Sequence, residues 1–222
     1  MSRFYDELSK STSNKDFVPY LTTPEMSFEP STVMEKYWFI GRKIFITSEI
    51  TEDLAQEVVD WIQFWNEEDT WNEVPKEERQ PIYVYIDTPG GLLTSTFLMI
   101  DAIKLSETPI YTVVTGTAYS GGFLVTLAGH KRFAYKHATF LFHEGSTGQI
   151  GDANKVLNGC EFYKNIQLAN IKSMVLENSK ITEALYVQHQ KDDWYFDVEE
   201  AIHLGVIDAI ATEVQGGIKE NE

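Results

Sequence analysis

The 222 residues carry 34 acidic side chains against 18 of Lys and Arg, a formal net charge of −16. This acidic balance, with no basic run, argues against direct binding to DNA or RNA, and no nucleic-acid partner is expected. A hydrophobic content of 43% is ordinary for one globular domain with a sizeable core. No apolar run approaches the roughly 18 residues of a membrane span, so no membrane partner is expected either.

Residue patterns that bind metals or cofactors are absent from the sequence. The five histidines have no zinc-type spacing, and neither a GxGxxG fingerprint nor a P-loop lysine is present, so neither a metal nor a cofactor is expected. The one cysteine, Cys160, excludes an internal disulfide, and its place in a predicted helix indicates packing. Residues 1–16 are polar and lack the apolar stretch of a secretory signal, which favours the cytoplasm.

The predicted elements follow a flexible N-terminal arm over residues 1–30, which is rich in polar residues. A strand is predicted over about residues 38–46 and a helix over about residues 51–65. Residues 66–80 are predicted to form a solvated surface loop, with a partner contact through Trp71 as the functional alternative. Strands and helices alternate from there on, which favours stacked βαβ units around a largely parallel sheet.

Two glycine-rich turns follow buried-looking strands. The first is Asp87-Thr-Pro-Gly-Gly91, whose paired glycines allow a bound chain to approach closely and leave N–H groups available. The second is Gly116-Thr-Ala-Tyr-Ser-Gly-Gly122, which places Ser120 between a strand and an apolar helix. At such a turn the hydroxyl is exposed, and the nearby N–H groups lie at the positive end of the helix, where an oxyanion would be stabilised.

A third strand, over residues 138–142, ends at His143, which is a candidate general base. After it, Asp152 is a candidate N-cap of a long helix that runs to about Asn178. Its apolar residues follow roughly helical spacing, with polar residues between them.

Together the three strand ends resemble those of the Clp protease proteolytic subunit (ClpP) family of self-compartmentalised serine peptidases. Members of that family read Ile-Asn-Ser-Pro-Gly-Gly, then Gly-x-Ala-Ala-Ser-Met-Gly, then a strand ending in His-Gln-Pro. This chain reads Ile86-Asp-Thr-Pro-Gly-Gly91, Gly116-Thr-Ala-Tyr-Ser-Gly-Gly122 and Phe142-His-Glu-Gly145. The resemblance implies an α/β fold, the ClpP/crotonase-type superhelix of repeated β-β-α units with a projecting handle helix. The segment from Gly145 to Gly151 would be an extended strand beside the substrate.

The resemblance also implies catalytic roles. Ser120 would attack the scissile carbonyl after His143 takes its proton, and the N–H groups of Gly91 and Gly121 would form the oxyanion hole.

The third member of the triad stays open. Alignment of the Glu200-Ala201 ending with the family places His189 where the family carries aspartate, and Asp192 and Asp193 follow shortly after it. Three alternatives remain. His189 itself orients the base, or Asp192 or Asp193 does so from a differently arranged loop, or the subunit is catalytically inactive.

The expected organisation is therefore a flexible arm over residues 1–30, a ClpP-like peptidase domain over residues 31–213 and a disordered tail over residues 214–222. The expected function is a serine endopeptidase that cleaves unfolded polypeptides or short peptides inside a homo-oligomer of stacked heptameric rings. An AAA+ unfoldase or a ClpP paralogue would be its partner. The alternatives are a weak or inactive ring or scaffold subunit and an acyl-CoA enzyme of the crotonase superfamily, which the Ser120 segment also resembles.

Overall fold

The computed structural model describes residues 30–148 and 150–211. The expected arm, apart from Pro30, and the expected tail over residues 214–222 lie outside the described residues. The chain divides into two compact units, residues 1–37 and residues 38–222. The described part of the first unit is helical, since α1 (Pro30–Ile40) begins there.

The second unit alternates strands and helices, as the sequence predicts. In chain order its elements are β1 (Lys43–Ile46), α2 (Glu52–Trp71), a short 3₁₀ helix (Lys76–Glu78), β2 (Ile82–Thr88), α3 (Leu93–Leu105), β3 (Ile110–Tyr119), α4 (Gly121–Ala128), β4 (Lys131–Ala134), β5 (Thr139–Phe142), α5 (Ala153–Phe162), a π-helical turn (Tyr163–Gln167), α6 (Leu168–Asn178), α7 (Glu183–His189), β6 (Trp194–Asp197), α8 (Val198–His203) and β7 (Ala209–Ile210).

Within the described residues, seven strands form one sheet. Five of them run parallel in the order β1-β2-β3-β4-β7, while β5 pairs in parallel with the end of β3 and antiparallel with β6. The strands are rich in β-branched residues, and β2 buries Ile82, Val84 and Ile86 on one face. Because β2, β3 and β5 are parallel, their carboxyl ends meet at one edge, where ligand sites of open α/β sheets form.

Helix α4 occupies the centre of the core. Every one of its residues is buried, and it contacts β3, α3 and α6. A helix that is apolar all round is stable only when protein surrounds it. The turn before α4, which carries Ser120, is therefore held by packing rather than exposed on a mobile loop.

The segment of residues 66–80 is more ordered than the predicted surface loop. Helix α2 continues to Trp71, and Asp69 within it is 3% exposed because Arg42 and Thr108 bond its carboxylate. Trp71 itself is 88% exposed. The predicted strand over residues 38–46 is likewise shorter, since α1 extends to Ile40 and β1 begins at Lys43.

The predicted long helix is present as a continuous run of α5, the π-helical turn and α6, with the Asp152 side chain capping its start at the Asn154 N–H. Its C-terminal part buries Ile171, Met174 and Val175, whereas α5 has no buried residue. This is the projecting handle of the expected fold.

Cys160, whose place in a predicted helix indicated packing, is not buried within the single chain. Cys160 is exposed, because it lies on α5, where helical spacing marks an apolar face but the chain offers no core to cover it. The described residues between Gly145 and Gly151, 145–148 and 150–151, form no strand pairing within this chain, so the implied strand beside the substrate stays a prediction. No helix in the described ranges is long and apolar enough to cross a membrane.

Candidate active site

Ser120 lies at the junction of β3 and α4 in a conformation that side chains rarely adopt. Its φ is 52° and its ψ is −114°, and its N–H donates to the Leu141 carbonyl at 2.9 Å. The turn after β2 packs directly against it: a Cβ on Gly90 would come within 2.8 Å of the Ser120 Cβ. The glycine thus allows the two turns to touch, and the backbone conformation of Ser120 is a strained one for a residue with a side chain.

The imidazole of His143 reaches this hydroxyl. Its Nε2 lies 2.7 Å from the Ser120 Oγ, within hydrogen-bond distance. The register of β3 and β5 sets this distance, because Tyr119 pairs with Leu141, so that Ser120 and His143 lie one and two residues beyond this pair. The structure therefore brings together the two residues that sequence reasoning placed on separate strands.

A carboxylate contacts the other ring nitrogen of His143. Its Nδ1 lies 3.2 Å from the Asp193 Oδ1. The antiparallel pairing of β5 with β6 explains the contact: Phe142 pairs with Trp194, so the residue after β5 faces the residue before β6. The Asp193 side chain is 61% exposed and that of His143 29%, so the pair lies at the surface of the single chain.

The other two candidates for the third position lie elsewhere. The ring of His189 stacks on Trp194, with 4.1 Å between centroids and 16° between planes, and its Nε2 lies 3.2 Å from the Gln188 Nε2. The backbone N–H of Asp192 donates to the His189 carbonyl and closes the turn after α7. Of the three candidates, Asp193 is the one that the structure places against His143.

Two backbone N–H groups beside Ser120 are available to a ligand. In the β-bridge between Ile50 and Gly91, the Ile50 N–H donates to the Gly90 carbonyl and the Leu92 N–H donates to the Ile50 carbonyl. The Gly91 N–H takes part in neither of these hydrogen bonds. The Gly121 N–H is the first of α4, and the first N–H groups of a helix have no partner within the helix. Both have the chemistry of oxyanion donors, and α4 adds the positive end of its dipole.

The residue after His143 is held by two tyrosines. The Tyr186 hydroxyl donates to the Glu144 carboxylate at 2.9 Å, and the Tyr163 hydroxyl donates to the Glu144 carbonyl at 2.7 Å. Sequence reasoning missed these contacts, since Tyr186 is 42 residues away from Glu144 along the chain. Among the described residues, no group of three or more His, Cys, Asp or Glu side chains could hold a metal ion.

Comparison with known proteins gives two kinds of match. A family model described as Clp protease matches residues 31–214. The chain is 27% identical over 169 residues to the ATP-dependent Clp protease proteolytic subunit 2 of Treponema pallidum (strain Nichols), covering 75% of this chain and 80% of that protein. It is 28% identical over 178 residues to the protein of the same name from Prochlorococcus marinus (strain NATL2A), covering 77% and 82%.

Proposed function

The chain belongs to the Clp protease family and is a serine-type endopeptidase of that family, and we propose that Ser120, His143 and Asp193 are its catalytic triad. The observation that carries this proposal is the chain of two short contacts, 2.7 Å from Ser120 to His143 and 3.2 Å from His143 to Asp193. A nucleophile, a base and a group that orients the base are the three roles that acyl transfer requires.

In the first half of the reaction, the Ser120 Oγ attacks the scissile carbonyl carbon while its proton moves to the His143 Nε2. The carbonyl oxygen becomes an oxyanion, which accepts hydrogen bonds from the N–H groups of Gly91 and Gly121. When the tetrahedral intermediate collapses, the C–N bond breaks and His143 gives its proton to the leaving amine. Asp193 stabilises the imidazolium that exists between these two transfers.

In the second half, water attacks the Ser120 ester, with His143 again taking the proton. The ester C–O bond then breaks, His143 gives its proton to the Ser120 Oγ, and the product leaves as a carboxylic acid. Loss of one oxyanion donor in such a site typically costs about 3 kcal/mol in the barrier, or roughly a hundredfold in rate.

We further propose that the chain acts as stacked heptameric rings, with unfolded polypeptides as substrates and an AAA+ unfoldase or a ClpP paralogue as partner. The handle supports assembly, because Leu157, Phe162 and Ile166 expose apolar surface on a helix segment that buries nothing in its own chain. Apolar surface of this kind is typical of an interface between proteins. The partly exposed His143 and exposed Asp193 fit a site that is enclosed by a chamber, which would restrict access to threaded chains.

The alternative of an inactive ring or scaffold subunit rested on His189 as the third triad residue. The contact of Asp193 with His143 supports the active enzyme instead, and the family match favours a peptidase over an acyl-CoA enzyme of the crotonase superfamily.

The test is intact-mass labelling of the purified protein with a fluorophosphonate, with Ser120→Ala and His143→Ala as comparison variants and sedimentation to measure assembly. We expect one label per chain in the wild type, none in Ser120→Ala, and peptide hydrolysis reduced by about 10⁶ in Ser120→Ala. An assembled wild-type ring that takes no label, or a Ser120→Ala variant that cleaves peptides at the wild-type rate, would contradict the proposal.

A further inference from the structure

The chain departs from the family motif at the two residues that follow the base. Where the family reads His-Gln-Pro, this chain reads His143-Glu-Gly145. The first change places a carboxylate beside the base in sequence, and the second removes a proline. The contacts of these two residues explain what the changes do.

The Glu144 carboxylate accepts a hydrogen bond from Tyr186, and this bond would be weaker if residue 144 carried a neutral amide side chain. Its Oε1 accepts the Tyr186 hydroxyl proton at 2.9 Å, and Tyr186 is 1% exposed. A hydrogen bond to an ionised acceptor is roughly twice as strong as one between neutral groups. Burial and the carboxylate raise the pKa of Tyr186, so its hydroxyl remains a proton donor throughout the physiological range.

Gly145 makes the second contact possible. Its φ is +81°, which proline cannot adopt because its ring fixes φ near −65°. A Cβ at this position would lie 3.2 Å from the Tyr163 hydroxyl, the same hydroxyl that donates to the Glu144 carbonyl at 2.7 Å. Glu144 and Gly145, the two residues that differ from the family motif, therefore belong to one arrangement, in which the segment after His143 turns toward Tyr163.

The two tyrosines come from different parts of the site's framework. Tyr186 lies on α7, which leads directly into the loop that carries Asp193, whereas Tyr163 opens the π-helical turn of the handle. Strand β5 ends at Phe142, so the residues that follow have no strand pairing within the described chain to hold them. Glu144 is the point at which this unpaired segment is fixed to both elements.

We propose that Glu144 is a positioning residue, whose carboxylate bound by Tyr186 and carbonyl bound by Tyr163 hold the His143 ring between Ser120 and Asp193. This inference rests on the proposed function of the triad. It adds that the geometry of the base depends on a side chain that touches neither substrate nor the reacting atoms. Since proton transfer from Ser120 depends on a hydrogen bond of ordinary length, a small displacement of His143 lowers the rate of chemistry more than substrate binding.

The experiment compares Tyr186→Phe, Glu144→Ala and Glu144→Gln with the wild type in peptide hydrolysis and in the rate of fluorophosphonate labelling. Tyr186→Phe removes one oxygen and keeps the buried ring, so it perturbs the fold least. Tyr111→Phe is the matched control, because it removes a tyrosine hydroxyl near the opposite end of β3.

We expect Tyr186→Phe and Glu144→Ala to lower kcat and the labelling rate by about tenfold, with KM within about twofold of the wild type. Glu144→Gln keeps an acceptor for the Tyr186 hydroxyl and should recover most of the lost kcat. Tyr111→Phe should match the wild type. Combining Tyr186→Phe with Glu144→Ala should cost no more than either alone, because both remove the same contact.

A wild-type kcat in both Tyr186→Phe and Glu144→Ala would overturn the inference, even if the melting temperature falls, because the contact would then serve stability alone. A loss of activity that comes only from a raised KM, with kcat unchanged, would also overturn it. These outcomes differ from failure of the proposed function, which would appear as a wild-type protein without any Ser120-dependent hydrolysis and would refute both.

Discussion

Replacement of Asp193 by asparagine tests the third member of the proposed triad, a position for which the sequence left His189, Asp192 and Asp193 open. The substitution keeps the shape of the side chain and removes its charge, and it can present an N–H to His143. An N–H facing the Nδ1 favours the tautomer with its proton on Nε2, which cannot accept the proton of Ser120. The loss should therefore fall on kcat.

The size of the loss follows from the exposure of the pair. At the 3.2 Å between the His143 Nδ1 and the Asp193 Oδ1, the attraction between imidazolium and carboxylate is about 1.3 kcal/mol in bulk water and about 5 kcal/mol at an effective dielectric constant of about 20. Because the Asp193 side chain is 61% exposed, the value lies between these limits. Each 1.36 kcal/mol is tenfold in rate, so we expect a loss of about a hundredfold, less than the roughly 10⁴ of a fully buried triad aspartate.

The assay is steady-state hydrolysis of a fluorogenic peptide by assembled protein, with Asp192→Asn and His189→Ala as matched controls. Asp192 is the acidic neighbour, and His189 stacks on Trp194 without contacting the base, so both controls should stay within about threefold of the wild type. If His189→Ala lost a hundredfold while Asp193→Asn remained active, the assignment of Asp193 and the argument from strand register would both be refuted.

Three further predictions concern stability. Asp69→Ala should lower the free energy of unfolding by about 3 kcal/mol in urea titrations, because the largely buried Arg42 loses its buried carboxylate partner and keeps only Glu68 and the Gln80 carbonyl. Glu68→Ala, at a half-exposed carboxylate that also contacts Arg42, should lower the free energy of unfolding by less than about 1 kcal/mol. Equal losses for Asp69→Ala and Glu68→Ala would contradict this reasoning. Gly121→Ala should destabilise by about 1–3 kcal/mol, since its Cβ would collide with the Thr96 hydroxyl, and adding Thr96→Ala should restore most of the loss; no recovery would place the strain elsewhere. Burial and Glu144 raise the pKa of Tyr186 above its ordinary value of about 10, so the folded chain keeps a proton there that the unfolded chain loses. Stability should therefore be complete below about pH 10 and fall above it, and Tyr186→Phe should flatten that fall in alkaline unfolding curves; an unchanged slope would contradict it.

Much of the fold could be predicted from local pattern. Alternating strands and helices, an N-cap at Asp152 and glycines at strand ends each depend on residues close together in the chain. The same holds for Ser120 and His143, because each ends a strand, and parallel strands bring their carboxyl ends to one edge.

What escaped prediction depends on contacts between distant residues. Alignment of the chain's ending left His189, Asp192 and Asp193 open, and the pairing of Phe142 with Trp194 is what places Asp193 against the base. Strand register is a tertiary property, and a displacement of a few residues selects a different side chain. Asp69 is similar: its burial depends on Arg42, 27 residues earlier, so local polarity could not show that this part of the predicted surface loop is buried helix.

The strained backbone of Ser120 has a consequence for the evolution of this sequence. A non-glycine residue at φ 52° and ψ −114° costs on the order of 1–3 kcal/mol of folding stability. Glycine adopts that conformation without steric strain, and where the strain exceeds glycine's larger entropy cost on folding, Ser120→Gly should make the protein more stable while removing its proposed nucleophile. Selection for folding alone would favour that replacement, which a single base change in a Ser codon such as AGC achieves. Under the proposed function, selection for catalysis would retain a serine that selection for stability would replace, whereas for the residues of the core stability alone is at stake.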